Sequence, residues 1–313
     1  MTASMSTIRV RVINKTDIAD DVVEVGFEAV DGCELPPWSP GAHIDLHLPN
    51  GCVRQYSLCA DVDERNRWRV AVLLDREGRG GSRYIHEELA VGAQLVVSQP
   101  RNNFPLKPAD GYVFVAGGIG ITPLLPMIRH AEASGSRWRL TYGGRTLTRM
   151  PYLEELRRFG ARVDLWPQDE RGVIDLDAVF AGCSAGEAVY TCGPEAMLNA
   201  IEGRDCLASV HMERFRAATA PDAGGDSFEV ELAVTGKRLT VPAGRSLLDV
   251  LRDETPDLPS SCEEGICGAC EVSVLDGVPD HRDSVLDADE RESNKLMMPC
   301  VSRSRCPLLV LDL

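Results

Sequence analysis

At 313 residues the chain is long enough for two or three domains of roughly 100–200 residues each. Its 44% hydrophobic and 26% charged residues read as globular, and no run of about 18 apolar residues marks a membrane span. A net charge of −15 with no basic patch excludes nucleic acid as the natural partner.

The first residues, Met1 to Thr7, lack a basic segment followed by an apolar core, so no signal peptide and a cytoplasmic location are expected. From about residue 8 to 100 the chain reads as short strands: Arg9–Ile13, Val22–Phe27, His43–Leu48, Trp68–Leu74 and Gln94–Ser98, punctuated by Gly and Pro. Strands at that spacing predict an antiparallel barrel. Two segments inside it suit a flavin. In Arg54-Gln55-Tyr56-Ser57-Leu58, Tyr56 can pack on a flat ring, Ser57 can hydrogen-bond and Arg54 can meet a phosphate. In Gly78-Arg79-Gly80-Gly81-Ser82 the glycines lead into a helix expected at Arg83–His86, which makes an anion site of free N–H groups. Together they resemble the flavin barrel of the ferredoxin reductase superfamily.

The texture then changes to strands alternating with helices, which predicts a parallel α/β sheet. The apolar strand Gly111–Ala116 runs into Gly117-Gly118-Ile119-Gly120-Ile121-Thr122-Pro123, with a helix expected over Thr122–Ala133. There the glycines let backbone approach a pyrophosphate, Thr122 can cap the helix and Pro123 suits its first turn. A second such turn, Cys192-Gly193-Pro194, ends the strand Ala188–Cys192 and precedes a helix over about Pro194–Glu202. Paired loops at strand ends are where α/β sheets bind dinucleotides. Arg145 falls where the adenosine ribose would lie, as a contact to a 2′-phosphate or as a surface or ribose-contacting arginine, and the second is preferred.

Ala217 to Asp226 has a linker's composition. Beyond it a hairpin (Phe228–Val234 and Arg238–Val241) and a helix (Ser246–Leu251) lead to the cysteines. Eleven cysteines are many for a chain without secretory signals, where clusters more often bind metal than form disulfides. Cys33, Cys52, Cys59, Cys183 and Cys206 are scattered and read as small buried hydrophobes. Cys262, Cys267 and Cys270, with Cys300 further on, have the C-x4-C-x2-C…C spacing of plant-type [2Fe–2S] sites. Gly265, Gly268 and Ala269 leave room for backbone N–H groups at the cluster sulfurs. The rival, structural zinc, ordinarily wants a second close pair. Cys306 is the alternative fourth ligand on spacing alone.

These segments in this order resemble the phthalate dioxygenase reductase family, including the reductases of vanillate-type O-demethylases, over nearly the whole chain. The resemblance rests on Arg54-x-Tyr56-Ser57-Leu58, Gly80-Gly81-Ser82, Gly117 to Pro123, Cys192-Gly193-Pro194 and the four cluster cysteines, and it favours Cys300. It implies a flavin β-barrel domain over 1–105, an NAD-binding α/β parallel-sheet domain over 106–216, a linker over 217–227 and an α+β, β-grasp ferredoxin domain over 228–313. It implies FMN rather than FAD, and NADH with NADPH as the alternative. Ser57, Cys192, Glu213 and Phe215 become neighbours of flavin and nicotinamide rather than acid–base catalysts, with Phe215 covering the flavin ring; its other reading is a core aromatic.

The implied activity passes electrons from NADH through FMN and the cluster, one at a time, to a Rieske-type oxygenase or O-demethylase. A plant-type cluster at about −400 mV and a higher Rieske potential make the last step downhill. A cytochrome P450 is the alternative partner, and a carrier without nucleotide turnover is opposed by the intact glycine loops. From Asp226 to Leu313 there are 18 acidic and 9 basic residues, a charge of −9, against −6 for the rest. That suits a transient, charge-steered meeting with a basic partner protein; the chain itself is expected to be a monomer.

Overall fold

The computed structural model describes residues 7–202, 204, 206–216 and 224–313. They form two compact units, the first ending at Glu213 and the second running from Arg214 to Leu313. Of the expected linker, residues 217–223 lie outside the described residues.

The first unit opens with strands β1 (Thr7–Ala19), β2 (Val22–Ala29), β3 (His43–His47), β4 (Val53–Ser57), β5 (Trp68–Leu73) and, after helix α1 (Gly81–Glu87), β6 (Gln94–Ser98). All pair antiparallel in the order β4-β3-β6-β1-β2-β5. Alternate side chains point inward: Val10, Val12, Val25, Phe27, Ile44, Leu46, Val70 and Val72 are fully buried, as period-two patterning requires. Past the end of β4, the Cys59 N–H donates to Arg69 O of β5 at 2.9 Å, bringing the two edge strands together. Helix α1 covers one mouth with Ile85, which is fully buried.

The same unit continues as β7 (Gly111–Gly117), α2 (Ile121–Ala133), β8 (Arg137–Gly144), α3 (Leu153–Arg157), β9 (Val163–Pro167), α4 (Gln168–Arg171), α5 (Leu176–Ala181), β10 (Glu187–Cys192), α6 (Glu195–Glu202) and β11 (Ser209–Glu213). The strands are all parallel in the order β11-β10-β7-β8-β9. Phe114, Leu124, Ile128 and Leu140 fill the core on the α2 face, and Val113, Val115, Val189, Phe180 and Ile201 that on the other. The chain moves one way from β7 to β9 and then returns to β10 on the opposite side of β7. The loops after β7 and β10 therefore flank the point where strand order reverses, the place such sheets leave open for a ligand.

The second unit comprises β12 (Phe228–Leu232), β13 (Lys237–Val241), α7 (Leu247–Glu254), β14 (Val272–Asp276), β15 (Pro279–Asp280), α8 (Ala288–Ser293), β16 (Leu296–Met297), β17 (Arg303–Ser304) and β18 (Leu308–Leu311). Its main sheet, β13-β12-β18-β14-β16, is mixed: β12 and β18 run parallel, their neighbours antiparallel. This β-grasp sheet holds α7, whose Leu247, Leu248 and Leu251 are buried with Val230, Leu309 and Leu311. Each such leucine contributes about 2 kcal/mol relative to exposure. Ser246 starts the helix by accepting the Asp249 N–H at 3.1 Å, a side-chain cap on an otherwise unpaired donor. Among the described residues no helix is long and apolar enough to cross a membrane.

Candidate functional site: four thiols, a glycine switch point and a barrel strand

The four spaced cysteines are all buried, at 1–9% exposure. The chain between them turns on Glu263, Gly265 and Gly268, all with positive φ. A Cβ on Gly265 would meet the Val301 side chain at 2.5 Å, so glycine is what lets this loop lie against the segment carrying Cys300. The loop is tied down by the Ser284 N–H donating to Gly265 O at 2.8 Å. Its amides point at sulfur: the Glu264 N–H reaches Cys262 Sγ at 3.3 Å, and those of Ala269 and Cys262 reach Cys267 Sγ at 3.4 and 3.5 Å. Cys270 and Cys300 stand with sulfurs 3.3 Å apart. The hydrogen bond from Cys267, with the Glu264 amide, pulls the Cys262 thiol down to about 6, and Cys300 likewise lowers Cys270.

Among the described residues no three His, Cys, Asp or Glu side chains converge as a single metal ion would require. The thiols form two pairs, Cys262 with Cys267 and Cys270 with Cys300, which fits the two irons of a [2Fe–2S] cluster better than one zinc. Cys306 is engaged elsewhere, donating to Leu308 O at 3.0 Å and accepting the Val278 N–H at 3.2 Å. Of the scattered cysteines expected to be buried only Cys59 is; Cys33 is exposed, and Cys52, Cys183 and Cys206 are half-buried. Cys33 is carried outward by a surface turn, in which its N–H donates to Asp31 Oδ1 at 3.0 Å.

In the barrel, Arg54, Tyr56 and Ser57 lie on β4, with Tyr56 opposite Ile44 and Ser57 opposite His43. Tyr56 packs on the barrel core, and burial raises its hydroxyl above the ordinary range. Ser57 is buried. The Arg54 guanidinium donates to Val53 O at 2.7 Å and Arg79 O at 3.3 Å, while its stem covers Gly81, where a Cβ would come within 2.5 Å. Strand motif and glycine turn are thus one structure. The helix opens at Gly81 rather than Arg83, placing Ser82 inside its first turn, with the hydroxyl already bonded to the backbone of Asp75 (N–H to Oγ 3.0 Å). Gly80 has φ 87° and open space beside it. Gln55 Nε2 is buried without a partner, an unused donor on the same strand that the sequence did not single out. An orphaned donor, a half-buried Tyr56 and a cation at a glycine turn fit a flavin and its phosphate.

The two glycine turns of the parallel sheet meet back to back. A Cβ on Gly120 would lie 2.2 Å from Cys192 O, one on Gly117 would lie 2.4 Å from Pro194 Cδ, and one on Gly193 would lie 2.9 Å from Gly117 Cα. Gly117, Gly120 and Gly193 are therefore needed for turn-on-turn packing. Gly118, at φ 55° with nothing within 4 Å, faces the open cradle where backbone can approach a phosphate. The expectation that Thr122 caps the helix fails: the helix already runs at Ile121, and the Thr122 hydroxyl donates back to Ile119 O at 3.0 Å. Pro123 sits in the first turn as expected. Tyr142, which no motif marked, fixes the turn by its hydroxyl, 3.1 Å from Gly118 O and 3.3 Å from Pro151 O. Arg145 is exposed, its carbonyl accepting the Asp169 N–H at 3.1 Å.

At the sheet's edge Cys192 on β10 pairs with Glu213 on β11. Strand β11 was missed in the sequence because Ser209 and Val210 are exposed and no alternation shows. Glu213 Oε2 is buried and unpartnered, and burial raises its carboxyl to about 8. Burial, with Glu213 nearby, also raises the Cys192 thiol well above its usual range. At neutral pH the pair is uncharged. Phe215, at 38% exposure, is no core aromatic.

Known proteins match these features in the same places. Residues 114–203 match the family model for the oxidoreductase NAD-binding domain, and 230–305 that for the 2Fe-2S iron-sulfur cluster binding domain. The chain is 42% identical to phenoxybenzoate dioxygenase subunit beta of Ectopseudomonas oleovorans, covering 99% of each. It is 39% identical to phthalate dioxygenase reductase of Burkholderia cepacia, covering 98% of this chain and 97% of that one. It also superposes on an intact type IV self-sufficient cytochrome P450 monooxygenase with a TM-score of 0.91 at 44% identity, covering 98% of this chain but 41% of that longer one. The chain belongs to the phthalate dioxygenase reductase family and is an NADH-dependent flavin and iron–sulfur oxidoreductase.

Proposed function

We propose that this chain is the reductase component of a Rieske-type aromatic ring-hydroxylating oxygenase or O-demethylase, taking electrons from NADH and releasing them singly to that partner. The observation that carries this is one chain holding a glycine switch point, a barrel strand with an orphaned donor, and two buried thiol pairs. FMN, when bound, supplies the conversion between a two-electron donor and a one-electron acceptor. We assign Arg54, Gly80, Gly81 and Ser82 to its phosphate, and Tyr56 and Ser57 to its ring. Gly117, Gly118, Gly120, Thr122, Pro123, Gly193 and Pro194 hold the pyridine nucleotide, with Arg145 at its ribose. Phe215 is assigned to cover the ring.

The remaining residues do simple things. Burial favours the uncharged forms of Cys192 and Glu213, so the sheet edge toward which a nicotinamide can turn its reactive carbon carries no competing ion. No side chain is required as acid or base, because the hydrogen travels with both of its electrons. Cys262, Cys267, Cys270 and Cys300 would hold the cluster, and the amides aimed at their sulfurs stabilise added negative charge. We place the domains at 1–105, 106–216 and 228–313, the monomer in the cytoplasm, and the oxygenase encounter as brief and steered by the acidic C-terminal unit.

The likeness to a self-sufficient P450 favours a second reading in which the partner is a P450. Adding a purified Rieske-type oxygenase or a P450 to the reductase with NADH separates them. Saturable substrate turnover with the oxygenase supports the first reading; turnover with the P450 alone replaces it. Mass analysis of the released flavin should give FMN, and FAD would correct that assignment.

A further inference from the structure

One side chain joins the barrel to the helix that follows the glycine turn. Arg129, on α2 two turns after the glycine turn, is 19% exposed. Its Nη1 donates to Cys59 O at 2.7 Å and Ala60 O at 2.9 Å, the two carbonyls that follow Tyr56-Ser57-Leu58. Its Nε and Nη2 hold the Glu155 carboxylate of α3 in a bidentate pair at 2.6 and 2.8 Å. A planar guanidinium suits this double grip; a lysine has no second arm with which to do it.

A second link runs beside the first. Tyr152, just before α3, has a left-handed backbone at φ 64°, which non-glycine residues rarely adopt. Its hydroxyl donates to Glu24 Oε2 of β2 at 3.1 Å and lies 3.1 Å from Cys59 Sγ. Burial raises the Cys59 thiol to about 11, so it stays protonated beside that oxygen. Arg69 of β5 holds the same Glu24 oxygen at 3.3 Å. Cys59 is thus gripped at its carbonyl by Arg129 and at its sulfur by Tyr152.

We infer that Arg129 is a positioning residue for hydride transfer: with Glu155 and Tyr152 it sets the spacing between the flavin strand and the nicotinamide turn. The inference rests on the assignment of those two sites. The geometry supports it because both grips fall directly after the functional segments, at Cys59–Ala60 after β4 and at the middle of the helix that the glycine turn begins. Reacting atoms must sit about 3–3.5 Å apart, and a displacement of about 1 Å costs about 100-fold in rate. The clamp shares no residue with the segments assigned to flavin and nucleotide.

The test is anaerobic rapid mixing of flavin-loaded protein with NADH for wild type, Arg129→Gln, Arg129→Lys and Tyr152→Phe. Arg129→Gln is expected to slow flavin bleaching by about 10–100-fold. The long-wavelength charge-transfer absorbance should weaken, while flavin content and the NADH concentration for half-maximal rate are retained. Arg129→Lys should fall between. In the apoprotein, hydrogen exchange over 147–159 should speed up in Arg129→Gln. A lowered melting temperature with rate and charge-transfer band unchanged would overturn the inference. Should Arg129→Gln not hold flavin, Tyr152→Phe decides: a weakened band and slower bleaching support the clamp, and wild-type values overturn it. Ser57→Ala and Cys192→Ala separate the underlying assignment. If both leave bleaching at the wild-type rate, the site assignment falls; if they slow it and the Arg129 variants do not, the clamp alone falls.

Discussion

The cysteine loop and the glycine switch point are built in opposite ways. The loop works through side chains, four sulfurs at fixed spacing, with backbone amides in support. The switch point works through backbone, and its side chains matter chiefly by being absent: Gly120 and Gly193 exist so that two turns can touch. Three sulfurs of the first lie in one stretch of sequence, and Cys300 joins them from 30 residues beyond Cys270. The second comes into being only when strands β7 and β10 lie side by side.

That contrast predicts how each region breaks. Cys267→Ser removes a thiol proposed to hold the cluster and should cut electron delivery to an oxygenase by at least about 100-fold, while NADH still bleaches the flavin. Full oxygenase turnover in that variant would remove the cluster from the path. Gly120→Ala should disturb the switch point without touching the cluster. Its Cβ would meet Cys192 O at 2.2 Å, and overpacking of that kind costs about 1–3 kcal/mol. Thermal unfolding should show the loss, with NADH affinity reduced and the cluster's absorption retained.

A smaller effect distinguishes the edge of the switch point. Glu213 has its carboxyl raised from the ordinary 4.5 to about 8 by burial. The fold therefore keeps a proton that the unfolded chain releases between those values. The stability so contributed is fully present below the unfolded value and declines as pH rises through the folded one. The melting temperature should fall from about pH 5 to about pH 9, and Glu213→Gln should flatten that fall. An equal slope in the variant would assign the pH dependence elsewhere. The smallest effect lies in the β-grasp unit: Ser246→Ala removes the cap of α7 and should cost about 1 kcal/mol in denaturant unfolding, with electron transfer unaltered.

Legibility in the sequence followed the same division. Alternation in β1 to β6 and the strand–helix rhythm of the second sheet were readable because each segment has a buried face with a regular period. The four cysteines were readable as a group from their spacing, which left Cys306 beside Cys300; the resemblance favoured Cys300, and the fold turns Cys306 toward Val278 and Leu308. Strand β11 was not readable, because its outer residues are exposed and carry no alternation. Thr122 misled, since a hydroxyl near a helix start can cap it or bond backward, and local sequence does not choose. Tyr142, Gln55 and Arg129 left no signal at all: their partners lie 9 to 70 residues away or are still to be supplied by a ligand.

In the proposed path electrons enter at the switch point and leave through the thiol loop. Anaerobic mixing with NADH, followed by flavin absorbance and by freeze-quenched paramagnetic resonance of the reduced cluster, tests it most directly. The account predicts that flavin bleaching comes first, that the cluster signal follows it, and that flavin-stripped protein gives no cluster signal on that timescale. A cluster that reduces equally fast without flavin, or that stays oxidised while the flavin is fully bleached, would contradict it.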